Sequence, residues 1–267
     1  MPNYHIHPLM IGTVRTSKGV ATYMVDTMQE YIAPVFAFYI EGGERKILVD
    51  TGISAPGLIS GTQGYRTIDY GRQGLINGLA GIGLHPEDID IVVITHMHID
   101  HGANFDLFPQ AEIILQRREW EYTQNPLPIH QGVYLTGMLP QLAQQKLRLI
   151  DGDFELMPGV RAFLVPGHTD GQQAVAVDTP AGTYVIAGDL ISVKHNIYPE
   201  LDVMVDAYGH LVSCTPLLGH SVYPPGIHTN LIAWYESVER VLTIAGNREH
   251  VLPSHDPDLN GKVFPEF

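Results

Sequence analysis

Four side chains within six positions raise the first chemical question. The stretch "VVITHMHIDHGAN", residues 92–104, carries His96, His98, Asp100 and His101 directly after a β-branched run. A buried strand that ends in so many polar groups needs something to compensate them. In extended backbone alternate residues face the same way, so His96 and His98 can hold one cation together. Asp100 and His101 come after the chain turns and can face a second cation. Imidazole and carboxylate suit Zn²⁺, with Fe or Mn as alternatives. Two adjacent ions need more ligands than this stretch supplies, so further His or Asp residues are expected after other buried strands. Three occur: His168 in "FLVPGHTDG", Asp189 in "TYVIAGDLIS" and His255 in "HVLPSHD". Each stands just beyond an apolar run, where α/β folds gather their site residues.

The chemistry expected of such a centre is hydrolysis. Two divalent ions sharing a hydroxide give a nucleophile near neutral pH, because coordination lowers the pKa of water from about 15.7 to about 7. Asp100 can bind metal and also pass a proton to the leaving group. No Ser or Cys nucleophile is required.

The elements that position these residues follow from patterning. Val35–Ile40 and Lys46–Val49 read as a hairpin around the glycines at 42–43, and Ile91–Ile94 as a buried strand. "AEIILQ" is a further strand leading into a helix at "RREWEYTQ"; short helical periodicity also spans Gln73–Gly81. Strands are expected at Leu147–Ile150, Val160–Val165, Ala174–Val177 and Tyr184–Ala187, and a helix at Thr229–Ala245 with Leu231, Tyr235, Val238, Leu242 and Ala245 on its apolar face. Residues 52–74 and 190–226 read as loops. Strands alternate with helices in both halves, which predicts one α/β domain over residues 1–267.

Composition bounds the partners. The chain has 267 residues, 45% apolar and 16% charged, enough for a continuous core. A formal charge of −14 argues against nucleic acid, which needs a basic face. Cys214 is the single cysteine, so thiolate ligation is nearly excluded. The first residues lack the pattern of a secretory signal, and no apolar run approaches the roughly 20 residues of a membrane span. A cytoplasmic protein without a membrane partner is the expectation.

In chain order, "HMHIDH", "PGHTDG", "AGDL" and "PSHD", together with "LVDTG" at 48–52, resemble the metallo-β-lactamase superfamily and its HxHxDH signature over roughly residues 34–265. The resemblance implies a four-layer αββα sandwich with a dinuclear metal site. By position it implies His96, His98 and His168 on the first ion, Asp100, His101 and His255 on the second, and Asp189 bridging them. Within that superfamily, "ILVDTG", "LQRREWE", "DGDFELMPGV" and "KVFPEF" look like the acyl-homoserine lactone lactonases. The implied activity is quorum-quenching hydrolysis of a lactone or small ester in a small acyl substrate. The alternatives are a phosphodiester or thioester hydrolase and an iron redox enzyme of the same fold. One departure stands out. Those lactonases often carry tyrosine three positions after the bridging aspartate, where this chain has Ser192, which leaves Tyr198 and Tyr223 as candidate catalytic replacements. Leu201, Met204, Tyr208, Leu217, Leu218 and Tyr223 in the 190–226 loop are expected to line the acyl pocket or to contact a second subunit of a homodimer. Asp50 either orients a ligand histidine or caps a turn, and Thr95 and Thr169 read as structural. The histidines at 130, 195, 210, 220 and 228 read as solvent-facing or substrate-lining.

Overall fold

The computed structural model describes residues 3–53, 66–69 and 71–266. In chain order its elements are β1 (His5–Ser17), α1 (Lys18–Ala21), β2 (Glu30–Glu41), β3 (Ile47–Val49), β4 (Arg66–Asp69), α2 (Arg72–Gly81) and β5 (Ile91–Val93). There follow β6 (Glu112–Gln116), α3 (Arg117–Gln124), α4 (Leu139–Leu142), β7 (Lys146–Ile150), β8 (Phe154–Met157) and β9 (Val160–Leu164). The chain continues through β10 (Gln173–Thr179), β11 (Gly182–Ile186), β12 (Val203–Val205), β13 (Leu211–Ser213), α5 (Leu231–Ala245) and β14 (Val251–Leu252). Among the described residues, seven strands form one sheet in the order β4-β1-β2-β3-β5-β6-β7, and five form another in the order β14-β11-β10-β9-β8. β12 and β13 make a separate hairpin.

Side-chain alternation builds the layers. On β2, Phe36, Phe38 and Ile40 turn one way and pack with Val160, Ala162, Val175 and Val177 of the second sheet. Val35, Ala37 and Tyr39 turn the other way and pack with Leu75 and Leu79 of α2. Both faces are covered, so β2 reads as an almost unbroken apolar run rather than an alternating one. The second sheet does the same: Phe163, Ala174, Ala176 and Val185 face Trp234, Val238 and Val241 of α5. Helix, sheet, sheet, helix is the αββα sandwich expected from the motifs. Each fully buried Phe, Ile or Val contributes about 1.5–3 kcal/mol, so the core between the sheets makes a rigid platform. Among the described residues, no helix is long and apolar enough to cross a membrane.

The structure departs from the sequence reading in several places. β1 was not among the expected strands; it pairs along β2 with a bulge between Met10 and Gly12. Of the expected 52–74 loop, residues 54–65 and 70 lie outside the described residues, 66–69 pair with β1, and α2 begins at Arg72. The 190–226 stretch carries the β12–β13 hairpin and a short 3₁₀ turn at Lys194–Asn196. The stripe expected on α5 is rotated from the buried one, which is Trp234, Val238, Val241 and Ala245. Leu231 and Tyr235 are instead 38% and 43% exposed. Both stripes obey the helical period, and tertiary contact selects between them, since the Trp234 indole N–H donates to Leu190 O at 2.7 Å. The helix ends were legible: Asn230 Oδ1 accepts from Ala233 N, and Gly246 takes the left-handed conformation at φ 66°.

Candidate metal centre

One edge of the sandwich collects the chemistry. β3 and β5 run parallel with Val49 opposite Val93, and β11 and β14 run parallel with Ile186 opposite Leu252. β9 is antiparallel to β10, which is antiparallel to β11, so β9 points the same way as β11. The segments leaving β3, β5, β9, β11 and β14 carry Asp50, the His96–His101 cluster, His168, Asp189 and His255 respectively.

All seven expected ligands are buried and converge. Donor atoms of His96, His98 and His168 form one group, those of Asp100, His101 and His255 another, and those of His96, His101 and Asp189 a third, each within 4.8 Å. His98 Nδ1 lies 3.1 Å from both His96 Nε2 and His168 Nε2. Asp189 reaches both sides: Oδ2 is 3.5 Å from His168 Nε2, while Oδ1 is 3.1 Å from His101 Nε2 and 3.0 Å from His255 Nε2. Asp100 Oδ2 stands 3.8 Å from His255 Nε2.

The donor set fits divalent cations. Metal–nitrogen bonds of about 2.0–2.1 Å in tetrahedral geometry put ligand nitrogens roughly 3.4 Å apart, close to the 3.1 Å found here. His101 Nε2 is buried without a hydrogen-bond partner even with Asp189 Oδ1 beside it. The opposite ring nitrogens explain which atoms are free. His168 Nδ1 donates to Ile227 O and His255 Nδ1 to Pro34 O, both at 2.8 Å. Carbonyl oxygens only accept, so Nδ1 carries the proton in both rings, and in the neutral form Nε2 is the atom left to bind a cation. His101 Nδ1 donates to Asp50 Oδ2 at 2.8 Å. Thr95 Oγ1 donates to the same oxygen and accepts from His96 Nδ1 at 3.1 Å.

Burial, then the neighbouring imidazoles, holds His96 and His98 well below the ordinary histidine range, and burial lowers His168 as well. Neutral imidazole is the form that binds metal. Burial acts the same way on His101 and His255, but the carboxylates outweigh it, chiefly Asp189, and raise both. Burial opposes ionisation of Asp189, yet His255 and His101 overcome it and hold its carboxyl well below the usual range.

Asp50 binds His101 and Thr95. It adopts φ 62°, a conformation that suits Asp and Asn better than most residues, and its two oxygens take Thr95 N, Thr95 Oγ1 and His101 Nδ1. Thr95 therefore does more than pack. Two residues at the site escaped the sequence reading: Ser254, whose Oγ donates to Asp189 Oδ1 at 2.5 Å, and the buried Glu119. Ser254 had a weak signal in its place beside His255. Asp256 is a turn residue that accepts from Lys194 N and Asp258 N.

The two candidate tyrosines do not join the cluster. Tyr198 OH donates to Glu249, and Tyr223 sits against His220. The narrow cleft above the cluster is lined by Asp100, His168, Asp189, Ser192 and His255 on the polar side. Val14, Thr16, Val20, Ala21, Tyr31, Ala33 and Ile227 complete it. Of the 190–226 stretch only Ser192 lines this cleft. Leu201 and Met204 line a separate groove, while Tyr208 and Leu218 are 47% and 79% exposed. The apolar wall comes instead from α1 and the two long N-terminal strands. His195, expected near solvent or substrate, is buried against Lys18 and Pro199 O. His130 bonds Tyr122 OH, His210 bonds Asp206 and His228 bonds Pro225 O, all outside the cluster.

Comparison with known proteins agrees with this geometry. Residues 32–242 match the family described as the metallo-beta-lactamase superfamily. An N-acyl homoserine lactonase from a Bacillus species is 33% identical over 180 residues, covering 63% of this chain and 68% of that protein. The N-acyl homoserine lactonase AttM of Rhizobium radiobacter is 29% identical over 205 residues, covering 73% and 69% respectively. In overall fold, the chain superimposes on B. thuringiensis AiiA, solved with N-decanoyl-L-homoserine at the active site. That match has a TM-score of 0.76 and 22% identity, covering 100% of this chain and 99% of AiiA. Fold, ligand order and family match coincide: the chain belongs to the metallo-beta-lactamase superfamily.

Proposed function

We propose that this protein is a metal-dependent hydrolase that opens the ring of N-acyl homoserine lactones at a dizinc centre. The observation that carries the reading is Asp189, whose two oxygens face two separate sets of buried nitrogen ligands at the floor of a mostly apolar cleft. His96, His98 and His168 would hold one cation, Asp100, His101 and His255 the other, and Asp189 would serve both. Five imidazoles with carboxylates and no thiolate match zinc, in accord with the borderline character of that ion. When bound, the two cations supply an activated water and polarise the scissile carbonyl.

The chain's own side chains do the rest. Asp100 borders the cleft, where its carboxylate would take the proton lost by the attacking water and pass it to the departing ring oxygen as the ring C–O bond breaks. Val14, Val20, Ala21, Ala33 and Ile227 take the acyl chain and exclude water around the ester. Ser192 offers a hydroxyl on the same wall in place of the tyrosine expected there.

The test is a substrate panel on purified protein: acyl-homoserine lactones, aryl esters, bis(p-nitrophenyl) phosphate and an acyl thioester. Lactone opening as the dominant activity supports the proposal. Turnover confined to the phosphodiester or the thioester overturns it. Elemental analysis with an ultraviolet–visible spectrum is the companion measurement, since zinc is colourless and an iron centre is not.

A further inference from the structure

Glu119 is the third residue of α3, outside the cluster, and is fully buried. It lies in the "LQRREWE" stretch, to which the ligand geometry assigns no role. Its Oε1 accepts from Met97 N at 2.9 Å and its Oε2 from Thr169 Oγ1 at 2.7 Å. Met97 separates His96 from His98, and Thr169 follows His168. One side chain therefore grips both segments that carry the first three ligands. These segments belong to different sheets, since β5 precedes one and β9 the other.

Two further details mark the contact as built. A Cβ on Gly171 would stand 2.1 Å from Glu119 N and 2.5 Å from its Cα, so only glycine lets the start of α3 press against the His168 segment. Gln173 also ties the sheets, through its N–H to Thr95 O and its amide to Ile94 O, but before the first ligand is reached. At the level of the ligands themselves the tie is Glu119. Burying a carboxyl group is unfavourable unless donors compensate it, and here the Met97 N–H and the Thr169 hydroxyl do so. Burial nonetheless raises the Glu119 carboxyl to about 7.

We infer that Glu119 is a positioning residue that fixes the spacing of His96 and His98 against His168 and thereby sets how tightly the first cation is held. It touches neither substrate nor reacting atoms. Outer partners of metal ligands change affinity by about 10- to 100-fold when removed. The inference rests on the dinuclear reading but not on the identity of the substrate.

The experiment is graded chelator exposure of the zinc-loaded holoenzyme, followed by anomalous diffraction at the zinc edge to read occupancy at the two positions separately. In Glu119→Ala the position among His96, His98 and His168 empties at a chelator concentration about 10- to 100-fold lower than in the parent, while the other position shifts by less than about threefold. Glu119→Gln, which keeps an acceptor for Met97 N and a donor for the Thr169 hydroxyl, recovers most of the loss. Thr169→Val removes one donor without disturbing α3 and gives a smaller shift at the same position, which covers the case where the alanine variant fails to fold. Equal loss at both positions, or none at either in folded variants, overturns the inference. Absence of two zinc positions in the parent protein would instead refute the dinuclear reading itself.

Discussion

Substituting Asp50 by Asn isolates one link between fold and chemistry. The carboxylate of Asp50 accepts three hydrogen bonds, from Thr95 N at 2.7 Å, Thr95 Oγ1 at 2.8 Å and His101 Nδ1 at 2.8 Å. Asparagine has nearly the same shape and tolerates the φ of 62° found there, so the turn itself should survive. It offers one acceptor oxygen, however, and an NH₂ group. With that oxygen on Thr95 N–H, the NH₂ meets the Nδ1–H of His101, donor against donor. His101 then moves its proton to Nε2, the atom 3.1 Å from Asp189 Oδ1 that would bind the second cation. The alternative orientation strands Thr95 N–H in a buried site. Either outcome weakens the second cation by about 10- to 100-fold, or roughly 1.4–2.8 kcal/mol. Isothermal titration of zinc into the metal-depleted variant reads this as one weakened equivalent and one unchanged, with a thermal midpoint close to the parent's. Two equivalents at parental affinity would refute the assignment of Asp50 as the group that fixes the His101 tautomer.

Three further outcomes follow from other contacts. Gly167 has φ 145° and an added Cβ would lie 2.5 Å from Trp234 Cα, so Gly167→Ala forces α5 away from the His168 segment. The cost is about 1–3 kcal/mol, or a melting midpoint lowered by roughly 2–12 °C in calorimetry, and an unchanged midpoint would contradict the close approach. Ala21→Phe narrows the apolar wall of the cleft; KM for long-chain lactones should rise by about 10-fold or more while kcat for the shortest stays within about threefold. Equal effects on all chain lengths would place the acyl group elsewhere. Burial, and then Lys18, lowers the pKa of His195 below its ordinary 6.5. The unfolded chain therefore takes up this proton at higher pH than the folded one, so stability falls as pH drops below about 6.5. In His195→Gln, which can accept from Lys18 and donate to Pro199 O, the fall in thermal midpoint between pH 7.5 and 5.5 should be shallower than in the parent; an identical profile would exclude His195 as its source.

The convergence of the seven candidate ligands was legible because they obey a local rule. Each stands just past an apolar run, and parallel strands bring such ends to one edge. His96 through His255 could thus be selected from fourteen histidines without coordinates. The rest depended on contacts distant in sequence. Tyr198 was a reasonable candidate by proximity to Asp189, yet its hydroxyl found Glu249, 51 residues away. The apolar wall was sought in the 190–226 stretch, whereas Val14, Ala21 and Ala33 supply it from the N-terminal strands and α1, whose proximity to the cluster is set by sheet pairing. On α5 two apolar stripes satisfied the same period, and packing against the second sheet chose Trp234 over Tyr235. Glu119 lies in the helix expected at "RREWEYTQ", but what distinguishes it is a pair of segments that meet only in three dimensions.

The central claim is that seven side chains hold two cations that together perform hydrolysis. Anomalous diffraction from crystals of active, zinc-loaded protein tests it most directly. Two peaks are expected, one among His96, His98 and His168 and one among Asp100, His101 and His255, each within bonding distance of Asp189. A single peak, or full lactone turnover by protein shown to contain no transition metal, would contradict it.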